Sequence, residues 1–231
     1  MLQDVTNKSI NKLLLKMNIV KTGSIHIWAV AIIICSIIVS GCIKDVAPSD
    51  AITTEVLTST TEGLTNAVNG AYALFKDHEE FNGSADDNNM YLRHYFQLSD
   101  FASDDFVCAQ VTEDPFFYSF SLNHSPTQTN TRYFWYISYK IISDCNTVIE
   151  AVEKDPTDDK TRQQLLGECY FLRAFSHFNL VRLFAMPYTQ NKAADGIVLR
   201  TSTNDPAQKA RSTVEEVYAQ IIADLDSALA T

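Results

Sequence analysis

The sequence predicts an all-α protein, and three observations carry that reading. Glycine (7) and proline (6) are scarce in 231 residues, which leaves few of the turns that a β fold needs. Apolar residues recur at three- and four-residue spacing in four separate stretches, the period of helices with one buried face. Start or stop signals bound these stretches. Hydrophobic residues make up 46% of the chain, enough for a real core.

The first helix is expected after Ser59-Thr60-Thr61-Glu62, a capping-box pattern, with Leu64, Val68, Ala71, Tyr72 and Phe75 on one face and an end near His78. The second covers residues 132–152, with Phe134, Ile137, Ile141, Cys145, Val148 and Val152 in register, and Lys154-Asp155-Pro156 stops it. The third is the longest, residues 158–184, opened by Asp158 and Asp159, whose charges favour a helix N-terminus. Leu165, Cys169, Leu172, Ser176, Asn179 and Leu183 trace one seam, and a second set from Leu166 to Val181 widens it. So broad an apolar surface places this helix between other helices. The fourth starts at Ser212-Thr213-Val214-Glu215, again a capping-box pattern, and its expected buried face runs from Val214 through Ile221, Ile222 and Leu225 to Leu229. No later helix follows to receive that face, so residues 61–231 read as a helical domain incomplete at its C-terminus. Two irregular stretches separate the helices, 79–131 and 187–211. The first is too long for a bland connector, and the second holds a brief extended piece at Gly196-Ile197-Val198-Leu199.

The N-terminus has a different character. Residues 25–39 are almost wholly apolar, too short for a comfortable membrane span of about 20 residues but the length of a signal-peptide core. Lys21 precedes the run, and Val39-Ser40-Gly41-Cys42 closes it as a bacterial lipobox would. Residues 1–41 are therefore expected to be a signal peptide, with Met17 a more ordinary start than Met1. Cys42 is the expected lipidation site, and 42–60 a polar tether.

Charge and cysteine usage exclude several functions. The net charge is −10; residues 1–41 hold Lys8, Lys12, Lys16, Lys21 and Asp4, a net of +3, which leaves −13 on the remainder. Such a surface repels phosphate backbones, so nucleic acid is not an expected partner. Cys108, Cys145 and Cys169 are odd in number and widely spaced, and read as buried helix-face thiols rather than a disulfide or zinc framework. His78, His94, His124 and His177 lack metal-ligand spacing, and no nucleophile elbow or phosphate-binding glycine loop is present. No cofactor, metal or catalytic residue is expected.

Against this background the run from Glu168 to Phe175, continuing through Asn179-Leu180-Val181-Arg182-Leu183-Phe184 to Pro187, resembles the signature helix of the SusD/RagB family. Arg211-Ser212-Thr213-Val214 with Tyr218, Ile221, Asp224, Leu225 and Ala228 resembles the helix after it. Trp135-Tyr136 with Asn146 fits the helix before, and Leu64, Asn69-Gly70 and Tyr72 fit the first. Ala185 stands where the family usually has glycine. The likeness covers residues 42–231, about the N-terminal half of such a protein. It implies a tetratricopeptide-like helical scaffold with long irregular loops, lipid-anchored in the outer membrane and facing the exterior. It also implies binding of a glycan or other oligomeric nutrient, passed to a TonB-dependent transporter of the SusC type.

A sugar site needs flat aromatic faces and polar groups for hydroxyls. The stretch 79–131 offers both, and the expected contacts are Asp87, Arg93, Phe116, Phe117 and Tyr118. The alternative for the three aromatics is packing under their own loop. In glycan-binding relatives an arginine like Arg93, and the segment after an acidic pair like Asp104-Asp105, can touch ligand. Here that segment lacks the tryptophans of starch binders. Arg173 is expected to be structural, in an ion pair or along an apolar wall. Two other readings compete with a binding protein: a lipid-anchored glycan-degrading enzyme, and a helical scaffold for other proteins.

Overall fold

A computed structural model of the chain describes residues 53–83, 88–110, 113–114 and 116–231. The expected signal peptide, Cys42, most of the tether and Asp87 lie outside the described residues. Seven α-helices are present among them: α1 Thr54–Thr58, α2 Thr61–Ala73, α3 Tyr91–Leu98, α4 Phe117–Phe120, α5 Thr129–Lys154, α6 Lys160–Phe184 and α7 Val214–Ala230, with a 3-10 turn at Asp100–Ala102. The extended pairing among the described residues is an isolated antiparallel bridge between Asp195 and Thr213. The all-α expectation is met.

The caps sit one residue from where the sequence pattern placed them. Thr60, not Ser59, caps α2, accepting from the Gly63 amide at 3.0 Å. Glycine is required at 63 by crowding, because a Cβ there would lie 2.0 Å from the Leu57 carbonyl oxygen of α1. Part of the expected tether is thus helical and turns tightly into α2. At α7 the capping box is complete but uses Thr213 and Glu216. Asp159 caps α6 through the Thr161 amide at 2.9 Å, and its other oxygen accepts from Thr61 Oγ1 at 3.0 Å. One aspartate therefore fixes the starts of both α2 and α6.

α5 and α6 form an antiparallel hairpin across a five-residue link, 155–159. α7 returns antiparallel to α6, with Arg173 meeting Asp224 and Gly167 lying against Ala228 and Thr231. α2 closes the other side of the hairpin. α6 is thus packed against α2, α5 and α7, as its wide apolar surface required. One core joins Leu64, Val68, Phe134, Ile141, Cys145 and Leu172; a second joins Ile142, Leu180, Val181, Ile197, Val214 and Val217.

Three expectations are corrected. The stretch 79–131 is not one irregular loop: α3 lies within it, burying Tyr91, His94 and Gln97, and the start of α5 takes its last residues. Tyr91 is fully buried, its ring 4.6 Å from Phe75 and 4.8 Å from Phe134, so one aromatic anchor ties this segment to the frame. The buried face of α7 is narrower than its apolar residues suggested. Asp224 is buried, whereas Ile222 is 58% and Leu229 87% exposed, because α7 packs mainly on α6 along one stripe. Cys145 and Cys169 are buried helix thiols, but Cys108 is half-buried in a loop, its thiol donating to the Gln110 carbonyl.

Candidate functional site

The outer face of α5 is built by helical spacing. Trp135, Tyr136, Tyr139, Lys140 and Ser143 share one side of the helix, away from the buried stripe of Phe134, Ile137 and Ile141. The connector between α6 and α7 lies across from them. Its extended start is fixed where Gly196 donates to Ser212 at 2.7 Å and Ser212 back to Ile197 at 2.8 Å. Tyr139 Oη donates to the Val198 carbonyl at 2.7 Å, which joins helix and connector. Farther along, Glu150 accepts from Ser202 Oγ at 2.6 Å and from the Thr203 amide at 2.8 Å.

Between these elements lies a cleft of 630 Å³, with Trp135, Tyr139, Lys140, Asp144, Arg200 and Asp205 in its walls. Burial, with a smaller push from Glu79 and against the pull of Lys140, raises the pKa of Asp144 to about 6. Near neutrality its carboxyl can therefore either donate or accept a hydrogen bond. Lys140 itself is paired with Glu79.

The cleft is the first of four depressions that share walls. Trp135 and Tyr136 also line a 480 Å³ pocket with Pro126, Thr131 and Phe184. Those last three residues belong in turn to a 210 Å³ hollow that includes Leu98 and Leu183. The same two leucines border a 590 Å³ depression with Asp100, Asp105 and Phe106. Each depression thus shares wall residues with the next, a track of rings and hydrogen-bonding groups along α5 and the end of α6.

The described residues singled out in the sequence as sugar contacts line none of these four depressions; their link to the last one is Phe106, which packs on Phe101, as Phe101 does on Phe116. Arg93 Nη2 donates to both oxygens of Asp114, at 2.8 and 2.7 Å, and its guanidinium stands 5.9 Å from the Phe116 ring. Asp114 also accepts from the Phe116 amide at 3.0 Å. Phe116 packs on Phe101 and Phe120, and Phe101 on Phe106. Phe117 is half-buried at the start of α4, and Tyr118 is 36% exposed. Arg93 and Phe116 are thus brought together, whereas Tyr118 presents its ring outward.

Arg173 is engaged elsewhere. It donates through Nε and Nη2 to Asp224, at 2.9 and 2.6 Å, and through Nη1 to Asn146 at 2.8 Å. It joins α5, α6 and α7 and is structural, as expected. His177 is fully buried; burial, then repulsion from Arg173 and Lys209, lowers its pKa to about 3.

The residues that sequence reasoning missed are those of the α5 face and the connector opposite. A signal was available in Trp135-Tyr136 and Tyr139, large rings outside the buried stripe of their helix. Nothing in the sequence marked Val198, Arg200 or Asp205 as their neighbours. Among the described residues no group of three or more His, Cys, Asp or Glu side chains could hold a metal ion, and no helix is long and apolar enough to cross a membrane.

Comparison with known proteins completes the picture. A SusD-like family model described as "Starch-binding associating with outer membrane" matches residues 44–231. SusD-like protein P38 of Formosa agariphila is 25% identical over 187 residues, 80% of this chain and 33% of that protein. SusD-like protein P2 of the same organism is 32% identical over 96 residues, 41% of this chain and 18% of that protein. Among solved structures, a SusD superfamily protein of Bacteroides thetaiotaomicron superposes with a TM-score of 0.60 at 28% identity, covering 74% of this chain and 37% of its own. A second, from Bacteroides vulgatus, gives 0.61 at 26% identity, covering 74% and 37%. The chain therefore spans about a third of the length of P38 and of these structures, and within that span the helical frame, the order of its motifs and the family match agree: the chain belongs to the SusD-like family.

Proposed function

We propose that this chain is the N-terminal part of a surface lipoprotein that binds an oligomeric glycan and hands it to a TonB-dependent outer-membrane transporter of the SusC type. The observation that carries the reading is the track of four depressions that share wall residues along α5 and the end of α6. A chain of sugar rings needs consecutive subsites with apolar faces and hydroxyl partners. Trp135, Tyr136 and Tyr139 supply the first at one end, and Asp144, Arg200 and Asp205 supply the second. Arg93 with Phe116, Phe117 and Tyr118 forms the proposed far end, and Asp87 completes the set. Cys42 is the proposed lipid attachment that would hold the protein on the exterior of the outer membrane. The family description, starch binding in association with the outer membrane, supports binding and location.

Isothermal titration of the chain with a panel of neutral and charged oligosaccharides tests the reading. Tyr136→Ala and Tyr118→Ala are each expected to weaken binding by about 1–3 kcal/mol with the melting temperature held. Unchanged affinity in both, or no binding across the panel, would remove the track as the site. Loss of acyl labelling in Cys42→Ala tests the anchor.

One observation favours a second reading. A partly buried carboxyl with a pKa near 6 in a cleft, as at Asp144, is the property of a general acid. A glycan-degrading enzyme would release new reducing ends from the panel, and Asp144→Asn would stop it. A bound but uncleaved glycan excludes this second reading.

A further inference from the structure

The 480 Å³ pocket in the middle of the track differs from the depressions around it in charge. Two arginines stand in its wall, Arg132 and Arg211, and no aspartate or glutamate lines it among the described residues. In a chain with 28 acidic and 18 basic residues, an acid-free pocket with two cations departs from the background. Arg93, Arg162 and Arg173 each pair with an aspartate. Arg132 and Arg211 pair with no carboxylate among the described residues; each guanidinium instead lies on a ring, Arg132 at 5.6 Å from Phe81 and Arg211 at 5.4 Å from Trp135. Arg211 is held in place through Nη1, which donates to the Phe184 carbonyl at 3.1 Å and the Gly196 carbonyl at 2.8 Å. Its Nε and Nη2 make no protein hydrogen bond among the described residues. The Arg132 guanidinium makes none among the described residues, and the residue is exposed. The floor between them is aromatic, formed by Phe81, Trp135 and Tyr136, with Tyr136 5.2 Å from Phe81.

We propose that this pocket is a subsite for a sugar residue bearing an anionic substituent, a carboxylate or a sulfate ester. The inference rests on the glycan reading and narrows its ligand to acidic glycans. The chemistry follows from the parts. The Tyr136 ring, on which neither guanidinium lies, takes the apolar face of a pyranose. Guanidinium N–H groups without a protein acceptor take carboxylate or sulfate oxygens in charge-assisted hydrogen bonds. The lack of a lining carboxylate means that no like charge opposes the ligand's. A neutral sugar would leave both cations without counter-charge, and the pocket discriminates by that difference.

The test compares ligands that differ only in charge. The full chain is titrated with tetragalacturonate and its fully methyl-esterified form, and with oligomers of dextran sulfate and of dextran. At least one anionic probe is expected to bind about tenfold or more tightly than its neutral counterpart, the effect of one charge-assisted hydrogen bond. Which of the two pairs shows the preference tells a carboxylate from a sulfate. Arg132→Gln is expected to remove most of that preference without lowering the melting temperature, because the Arg132 side chain makes no hydrogen bond among the described residues and the helical amide bond to Gln128 is kept. Arg211→Gln, whose contacts also brace the connector, is read alongside its own melting curve. Equal binding of charged and neutral probes overturns the inference and leaves the glycan reading standing. A preference that survives both substitutions also overturns it, because the charge is then read elsewhere. Failure of all four probes to bind removes the glycan reading, and the subsite with it.

Discussion

The same trio of an arginine, an aspartate and an aromatic ring is built twice in this molecule, with opposite consequences. In the helical frame Arg173 meets Asp224 with both partners buried, side chains 5% and 2% exposed, and Tyr170 beneath at 5.3 Å. In the segment between α2 and α5, Arg93 meets Asp114 with side chains 30% and 27% exposed, beside Phe116. Arg173 also holds Asn146 and touches the Thr201 carbonyl at 3.3 Å, so it bridges three helices and a connector. Arg93 holds only its own short segment. Removing one member of a buried pair strands the other charge in a medium that cannot solvate it. Water reaches the half-buried pair and takes over part of that role. The first trio is architecture; the second lies nearer the surface and belongs to the proposed ligand face.

Four measurements would break or sharpen this contrast, from the largest expected effect to the smallest. Asp224→Ala should destabilise the chain by about 3–5 kcal/mol in urea unfolding, the cost of orphaning a buried charge. A loss below about 1 kcal/mol would erase the distinction between the two trios. Leu172→Ala, in the core beside Arg173 and 3% exposed, should cost about 2–5 kcal/mol. An unchanged unfolding midpoint would place α6 outside the core.

Acid probes the frame through one buried histidine. His177 has a folded-state pKa near 3 against an ordinary 6.5. Between those values the unfolded chain binds a proton that the folded chain does not, so the contribution of His177 to stability is complete above about pH 6.5 and is lost as the pH falls toward 3. Midpoints measured from pH 7 to pH 4 should therefore decline less steeply in His177→Gln than in the original chain. Parallel profiles would show that the histidine is not buried neutral. The smallest effect belongs to Asp114→Asn, expected to cost about 1 kcal/mol or less. It also frees the Arg93 guanidinium, so it should change glycan affinity more than it changes the melting temperature. The reverse result would make the second trio structural like the first.

Legibility followed the same division. α5, α6 and α7 were readable to within about three residues because period and caps are local properties of the chain. Arg173 was readable as structural because it lies inside a broadly apolar helix. α3 was not, since its buried face consists of Tyr91, His94 and Gln97 and its polar members hide the stripe. His94 and Gln97 are tolerated inside because His94 Nδ1 and Gln97 Oε1 bond to each other at 2.8 Å, a pairing visible only in three dimensions.

By itself, then, the sequence determined the four longest helices, α2, α5, α6 and α7, and the family they belong to. Hydrophobic period, capping residues and motif order are written in consecutive residues, and nothing distant needs to be known to read them. The track, the pocket between Arg132 and Arg211, and the meeting of Tyr139 with Val198 were decided by tertiary structure alone. These pairs lie 79 and 59 residues apart in the chain. They become neighbours because Gly196 lets the connector approach Ser212 closely, where a Cβ would stand 2.9 Å from its carbonyl oxygen, and because α7 must return along α6 to give Arg173 its aspartate. A site assembled from distant segments depends on how the helices pack, and packing is a property of the whole core rather than of any window of sequence.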